Sequence, residues 1–295
     1  MPLFCPQVQF CPQICPQNPR FCLIPSSFAL GLFTHLKLIS IITTNPFVRL
    51  NQRALLFLST LYFQSDIRLE VSMCGRFAQA QTREEYLAYL ADEGDRDIAY
   101  DPEPIGRYNV APGTKVLLLS ERDEQLHLDP ALWGYAPRWW DKTPLIKARV
   151  ETAAISRMFK PLWQCGRAIC FADGWYEWKK EGDKKQPYFI HRADGQPIFM
   201  AAIGSTPFER GDEAEGFLIV TAVANNGLVD IHDRRPLVLS PEAARGWMQQ
   251  DVGGKEADKI AVDGAVTEDI FIWHAVTRAV GNTKNEGPEL IEIAH

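Results

Sequence analysis

Six short apolar runs set the strongest limit on what this chain can fold into. They fall at 115–120, 167–178, 186–191, 198–203, 216–223 and 269–274, and carry β-branched and aromatic residues. That is strand composition. Helix signals are fewer. Thr82 with Glu85 makes a capping box ahead of Tyr86, Leu87, Tyr89 and Leu90. Ser240-Pro241 is a cap with proline at the first helical position, opening a helix to about Gln249. A third helix is expected over 152–163. Strands outnumber helices and no βαβ alternation is present. The expectation is an α+β single domain with a curved, barrel-like antiparallel β-sheet and flanking helices.

The composition breaks near residue 72. Residues 1–72 hold Cys-Pro-Gln three times, at Cys5, Cys11 and Cys15, and have no acidic residue before Asp66. They carry a net charge of +3, whereas residues 73–295 carry −9. The apolar stretch 28–42 is interrupted by His35 and Lys37, which suits neither a secretory signal nor a membrane span of about 20 apolar residues. Residues 1–72 are therefore expected to be an N-terminal extension outside the working domain, either non-native, from a start assigned too far upstream, or disordered. The segment Met73-Cys74-Gly75-Arg76-Phe77 looks like a natural beginning. A Met followed by a small residue can be trimmed, leaving Cys74 with a free α-amine beside its thiol.

Residues 73–295 are a length that one domain fills. Their three cysteines, Cys74, Cys165 and Cys170, form no Cys-x-x-Cys pair and have no histidine at ligand spacing. A structural zinc is not expected, and no metal or organic cofactor is suggested. Scattered cysteines point to a reducing cytoplasm. Cys165 and Cys170 are expected in the core, where unpaired cysteine is usually buried.

Six ordered segments carry a resemblance. They are Cys74-Gly75-Arg76-Phe77, Tyr108-Asn109-Val110-Ala111-Pro112, Trp133-Gly134, Ala148-Arg149-Val150-Glu151-Thr152, Asp173-Gly174-Trp175-Tyr176-Glu177-Trp178 and His232-Asp233-Arg234-Arg235-Pro236. Together they resemble the SRAP family, the SOS-response-associated peptidases, over 73–295 and not over 1–72. The resemblance implies a monomeric abasic-site sensor acting on single-stranded DNA in the DNA damage response. Its N-terminal cysteine would bond the ring-opened sugar aldehyde as a thiazolidine, a covalent DNA-protein crosslink.

Within that resemblance Cys74, Glu177 and His232 correspond to catalytic residues. An abasic sugar is mostly a closed hemiacetal, so a carboxylic acid near the ring oxygen helps it open. Glu177 lies between Trp175 and Trp178, and aromatic surroundings would raise its pKa toward that of a useful proton donor. Without the motif, it would read as a half-exposed strand glutamate. His232 can move protons both ways near pH 7; alone before a basic pair it would read as surface decoration. An N-terminal amine has a pKa near 7.7–8.0, leaving roughly a tenth unprotonated at pH 7, against less than about a thousandth for lysine.

Arg76, Arg149, Arg157 and Arg234 resemble phosphate-contacting arginines. They matter because a domain of charge −9 needs a local basic groove to hold a polyanion. Trp139-Trp140 resembles a DNA-facing aromatic loop, where stacking is worth about 1–3 kcal/mol per base. Asn109 and Pro112 are expected in a turn near the site. Position 147 departs from the family pattern: an active-site Asn is usual and this chain has Lys147. An ammonium only donates and adds charge, while an amide also accepts. If its pKa were depressed by burial, Lys147 could itself form an imine. Two further functions stay open: a cysteine-type peptidase with Cys74 and His232 that removes its own leader, and a non-covalent reader of damaged or modified single strands.

Overall fold

The computed structural model describes residues 75–90, 94, 96–205 and 215–294. The extension at 1–72 and Cys74 lie outside the described residues. In chain order the first strands are β1 (Phe77–Gln79), β2 (Arg107–Val110), β3 (Lys115–Arg122), β4 (Gln125–Leu132), β5 (Lys147–Arg149) and β6 (Arg167–Ala172). There follow β7 (Gly174–Glu181), β8 (Lys184–Arg192), β9 (Ile198–Gly204), β10 (Phe217–Val223), β11 (Arg234–Pro236), β12 (Val238–Leu239) and β13 (Phe271–Ala275). The helices are short: α1 (Arg83–Leu87), α2 (Val150–Ala153), α3 (Lys160–Cys165), α4 (Pro241–Met248) and α5 (Gly254–Asp263).

The fold is α+β, with large curved sheets and few helices. A five-stranded sheet runs β13-β8-β7-β1-β2. A second runs β11-β10-β9-β6-β3-β4, with β12 added on β9 and β5 on β10. Pairing is antiparallel except between β5 and β10. Among the described residues neither sheet closes on itself, so the expected barrel is open. None of the described helices is long and apolar enough to cross a membrane.

Strand alternation builds the layers. Phe77, Trp133, Trp175, Ile190, Ile219 and Phe271 come from both sheets and meet in one cluster between them. Tyr176, one residue on from Trp175, turns to the other face and packs with Ala78, Phe189, Val280 and Leu290. The far face of the larger sheet is covered by Leu162, Trp163, Ala244, Trp247 and Ala257 of the helices. Each fully buried aromatic or aliphatic chain contributes about 1.5–3 kcal/mol.

Two expectations need correction. The run 167–178 is two strands, β6 and β7, lying in different sheets. The break falls at Asp173, whose half-buried carboxylate accepts bonds from the Ala80 amide (2.7 Å), Gln81 Nε2 (2.7 Å) and the Tyr86 hydroxyl (2.7 Å). Burial pushes the Asp173 carboxyl up, and these three donors oppose the shift. A Cβ at Gly174 would overlap the Ile190 carbonyl and come within 2.7 Å of the Phe189 ring, so the corner needs glycine. The helix expected over 152–163 is two pieces, α2 and α3. Pro161 sits in the first turn of α3, where its missing N–H is no loss, and so marks a new helix start rather than the interior of one long helix.

Cys170 is buried as expected, but Cys165 is exposed, because it ends α3 rather than entering the sheet. The other helix signals hold. Thr82 Oγ1 accepts from the Glu85 amide (3.2 Å) while Glu85 accepts from the Thr82 amide (2.7 Å), and Ser240 Oγ accepts from Ala243 (3.2 Å).

Arg167 ties the helical layer to β6. Its guanidinium is buried and donates to the carbonyls of Trp163 (2.8 Å), Gln164 (2.6 Å), Trp247 (2.7 Å), Gln249 (2.8 Å) and Val252 (2.7 Å). These are the loose carbonyls at the ends of α3 and α4. Arg167→Ala should lower unfolding free energy by about 3 kcal/mol or more in urea titration, with Arg167→Lys recovering little because it lacks the fork. A loss below about 1 kcal/mol would mean that the carbonyls are satisfied without it.

Candidate functional site

The start of β1 is held against β7 by an antiparallel ladder. Phe77 pairs with Trp175, and the Tyr176 amide donates to the Arg76 carbonyl at 3.0 Å. Continued by two residues, that register sets buried Gly75 opposite Glu177. Glu177 is only 2% exposed. It shares the face of Trp175, two residues earlier, and pairs with Tyr188 of β8. Its side therefore points between the sheets, while Trp178 turns to the other face.

The second sheet supplies the opposite wall. In the parallel pairing of β5 with β10, Lys147 lies beside Ile219 and Arg149 beside Thr221. Ile219 belongs to the cluster between the sheets, so Lys147, Arg149 and Thr221 share its side. Across β10, Arg234 pairs with Val223 on that same side. Its guanidinium is bidentate to Glu151 (2.7 and 3.0 Å) and donates to the Thr221 carbonyl (2.6 Å) and hydroxyl (3.2 Å). Arg234 is thus built into the wall. Arg149 and Arg157 are exposed, Arg149 as the N-cap residue of α2 and Arg157 between α2 and α3.

His232 follows a 3-10 helix, Asn226–Asp230, and its amide donates to the Leu228 carbonyl (3.0 Å). The Ala224 amide closes the loop on the Asp233 carbonyl (2.9 Å). His232 Nδ1 accepts from the Arg234 amide (3.0 Å) and lies 2.8 Å from an Asp233 carboxylate oxygen. One nitrogen cannot serve both at once. Unprotonated, it takes the amide and leaves the ring proton on Nε2; protonated, it turns to Asp233. The arrangement is suited to a group that gains and loses a proton in its work.

Arg76 and Asn109 are joined, at 2.6 Å from Arg76 Nη1 to the Asn109 carbonyl oxygen. Arg76 also donates to the carbonyls of Val280 (2.7 Å) and Gly281 (3.2 Å), and burial lowers its pKa. Asn109 Nδ2 donates to Val280, Asn282 and Asn285 carbonyls at 3.2, 3.0 and 3.0 Å. Asn109 lies in β2 rather than a turn, and it anchors the C-terminal loop beside the β1 start. Pro112 does lie in the following turn, where Gly113 takes φ +82°. Trp139 is 68% exposed. Trp140 meets it edge-on at 5.8 Å and donates Nε1–H to the Thr143 carbonyl at 2.9 Å, with Lys142 Nζ 5.7 Å above its ring.

The two sheets thus bring Glu177, Lys147, Arg149 and Arg234 to facing walls, with Gly75 beside them; Arg76 and Asn109 brace β1 and β2 from the opposite face, with Tyr176 and Val280. Arg157, Pro112 and the tryptophan pair belong to surrounding loops. A shallow cleft lined by Gln186, Thr277, Arg278 and Glu289 holds none of these residues. Among the described residues no group of three His, Cys, Asp or Glu is arranged for a metal ion. Sequence reasoning passed over Thr221, Glu151 and Glu286. Glu286 accepts the amides of both Tyr108 (2.9 Å) and Asn109 (3.0 Å) from 177 residues or more away, a link that no local spacing reveals. Glu151 sits inside a motif and could have been singled out as a partner for a neighbouring arginine.

The chain matches the family model of SOS response associated peptidase (SRAP) over residues 73–283. It is 80% identical over 220 residues to the abasic site processing protein YedK of Escherichia coli K12, covering 75% of this chain and 99% of that one. The abasic site processing protein YoqW of Bacillus subtilis is 27% identical over 231 residues, with 75% and 99% covered. A crystal structure of a phage-related protein from Bordetella bronchiseptica superposes with TM-score 0.59 at 36% identity, over 70% of this chain and 95% of that one. This chain belongs to the SRAP family.

The bonds from Arg234 hold the Glu151 carboxyl below its ordinary value of 4.5; partial burial opposes them, and the charges of Arg234 and Arg149 add to the lowering. A depressed acid contributes stability that is complete above the ordinary glutamate range and is lost as pH falls through the depressed value. Glu151→Gln should therefore melt earlier than the parent near pH 7, with the difference closing below about pH 4. A gap in melting temperature that persists unchanged to about pH 3 would contradict the assignment.

Proposed function

We propose that this chain captures abasic sites in single-stranded DNA as a covalent thiazolidine and so protects the lesion during the DNA damage response. The observation that carries it is the β1–β7 register, which sets the residue after Cys74 opposite a buried acid, Glu177. The names of the relatives support abasic sites as the lesion. The family match beginning at residue 73 supports a working domain of 73–295 whose first residue, after loss of Met73, is Cys74.

In this reaction Glu177 gives its proton to the sugar ring oxygen as the hemiacetal opens to the aldehyde. The Cys74 amine adds to the aldehyde carbon and water leaves, giving an imine. The thiol sulfur then adds to the imine carbon while its proton passes to nitrogen. One water is lost overall. His232 moves protons at the amine and the departing oxygen. Arg149 and Arg157 meet phosphates, Trp139 and Trp140 stack on bases, Arg234 shapes the wall that holds the strand, and Arg76, Asn109 and Pro112 brace β1 and β2 behind the site.

Incubation with an abasic single strand should give a heat-stable adduct from protein beginning at Cys74 and none from protein that retains Met73. Glu177→Gln should slow capture by about 10²–10⁴-fold. Peptide cleavage without adduct would favour the peptidase, and reversible binding alone would favour a non-covalent reader; either result sinks the proposal.

Lys147 stands where an amide could both donate to and accept from the opened sugar. Its positive charge beside Glu177 would favour the carboxylate and weaken the acid. Lys147→Asn should therefore speed adduct formation, timed by denaturing gel; an equal or slower rate contradicts this role for the lysine.

A further inference from the structure

Trp273 has no part in the scheme above, yet it reaches the segment that carries His232. It lies on β13, the edge of the five-stranded sheet, opposite Ile190 of β8. Phe271, two residues earlier on the same face, packs edge-on against Trp175 at 5.1 Å. Trp273 therefore faces the side of the sheet that bears Trp175 and Glu177. Its indole covers Gly227 in the 3-10 helix before His232. A Cβ on Gly227 would stand 2.8 Å from Trp273 Cη2 and 3.0 Å from Cζ2, so a side chain there forces one of the two to shift.

That helix sets His232 directly. The His232 and Ile231 amides both donate to the Leu228 carbonyl at 3.0 Å, one residue past Gly227. Leu228 and Ile231 are buried in the cluster between the sheets. On the helix's entry side, the Ala224 amide donates to the Asp233 carbonyl at 2.9 Å, and the Asn225 backbone helps to lower the Glu268 carboxyl. Glu268 is itself held by Arg235 at 2.8 Å, with both side chains nearly buried. The loop is thus anchored at its entry, at its exit and from beneath. Trp273 alone of these holds it from the flanking sheet edge, and it is still 37% exposed.

We propose that Trp273, seated on Gly227, is a positioning residue for His232, fixing the imidazole at the distance proton transfer needs. The inference rests on the catalytic role given to His232 under the proposed function. Displacement of a catalytic group by about 1 Å can cost up to about 10²-fold. Trp273→Ala frees the helix from one side, Gly227→Ala pushes the indole off, and Trp273→Phe keeps a ring over the glycine.

The test is a cycle of capture rates on an abasic single strand, with protein beginning at Cys74. Trp273→Ala and Gly227→Ala should each slow capture by about tenfold or more, and Trp273→Phe should restore most of the rate. Placed on His232→Ala, Trp273→Ala should add less than about twofold, because its effect passes through the histidine. Affinity for an undamaged single strand should not change. A full additional loss in the His232→Ala background overturns the inference, and so does weakened binding of the undamaged strand, which would make Trp273 a DNA contact. A parent-like rate for Trp273→Ala with a slow His232→Ala overturns this inference alone. A parent-like rate for His232→Ala overturns the proposed role of His232 and this inference with it. If Trp273→Ala does not fold, Trp273→Leu serves in the same cycle.

Discussion

The pairing of β1 with β7 is the constraint on which the site depends. β1 is three residues long, yet it joins two neighbours, β2 and β7, in the five-stranded sheet. Phe77 is buried between the sheets, so the register cannot slip by one residue without forcing it into the opposite face, where small Ala78 packs against Tyr176. That fixed register places Gly75 beside Glu177. The Arg76–Asn109 bond and the C-terminal carbonyls that both side chains grip lock the same segment from its other side. Gly75 and Arg76 are thereby held on rigid structure from both sides.

The sheets were legible because their strands are short, apolar and punctuated. Those at 115–120, 186–191, 198–203 and 216–223 appear within two residues of the expected limits. The Asp173 corner was not: Asp173-Gly174 is a turn dipeptide, but apolar residues flank it closely on both sides, and the bonds that bend the chain there come from residues 80, 81 and 86. β4 and α5 were missed for a related reason. β4 contains a proline and two charged or ionisable residues, and α5 has a narrow apolar stripe of Ala257, Ile260 and Ala261. At the site, motif matching named residues but not partners. It could not tell that Arg234 is held by Glu151 and Thr221, or that Asn109 is a hub for a loop 171 residues or more away.

The arginines divide by what they touch. Arg76 and Arg234 spend their donors on carbonyls and a carboxylate; Arg234 shapes the wall, and Arg76 braces β1 from the opposite face. Arg149 and Arg157 stand exposed, open to a polyanion at the surface. A domain with net charge −9 can hold a polyanion in this way, because local field rather than total charge governs close contact. The same geometry makes Lys147 consequential. It lies on the Ile219 side of β5, the side that faces the space between the sheets.

The most direct measurement is the attachment point of the sugar. After reaction with an abasic oligonucleotide and digestion of both protein and DNA, mass spectrometry of the peptides locates the remnant. The account predicts a peptide that starts at Cys74 and carries the sugar remnant less one water, with Lys147 unmodified. A remnant on Lys147, or on a peptide that still begins at Met73, would contradict it.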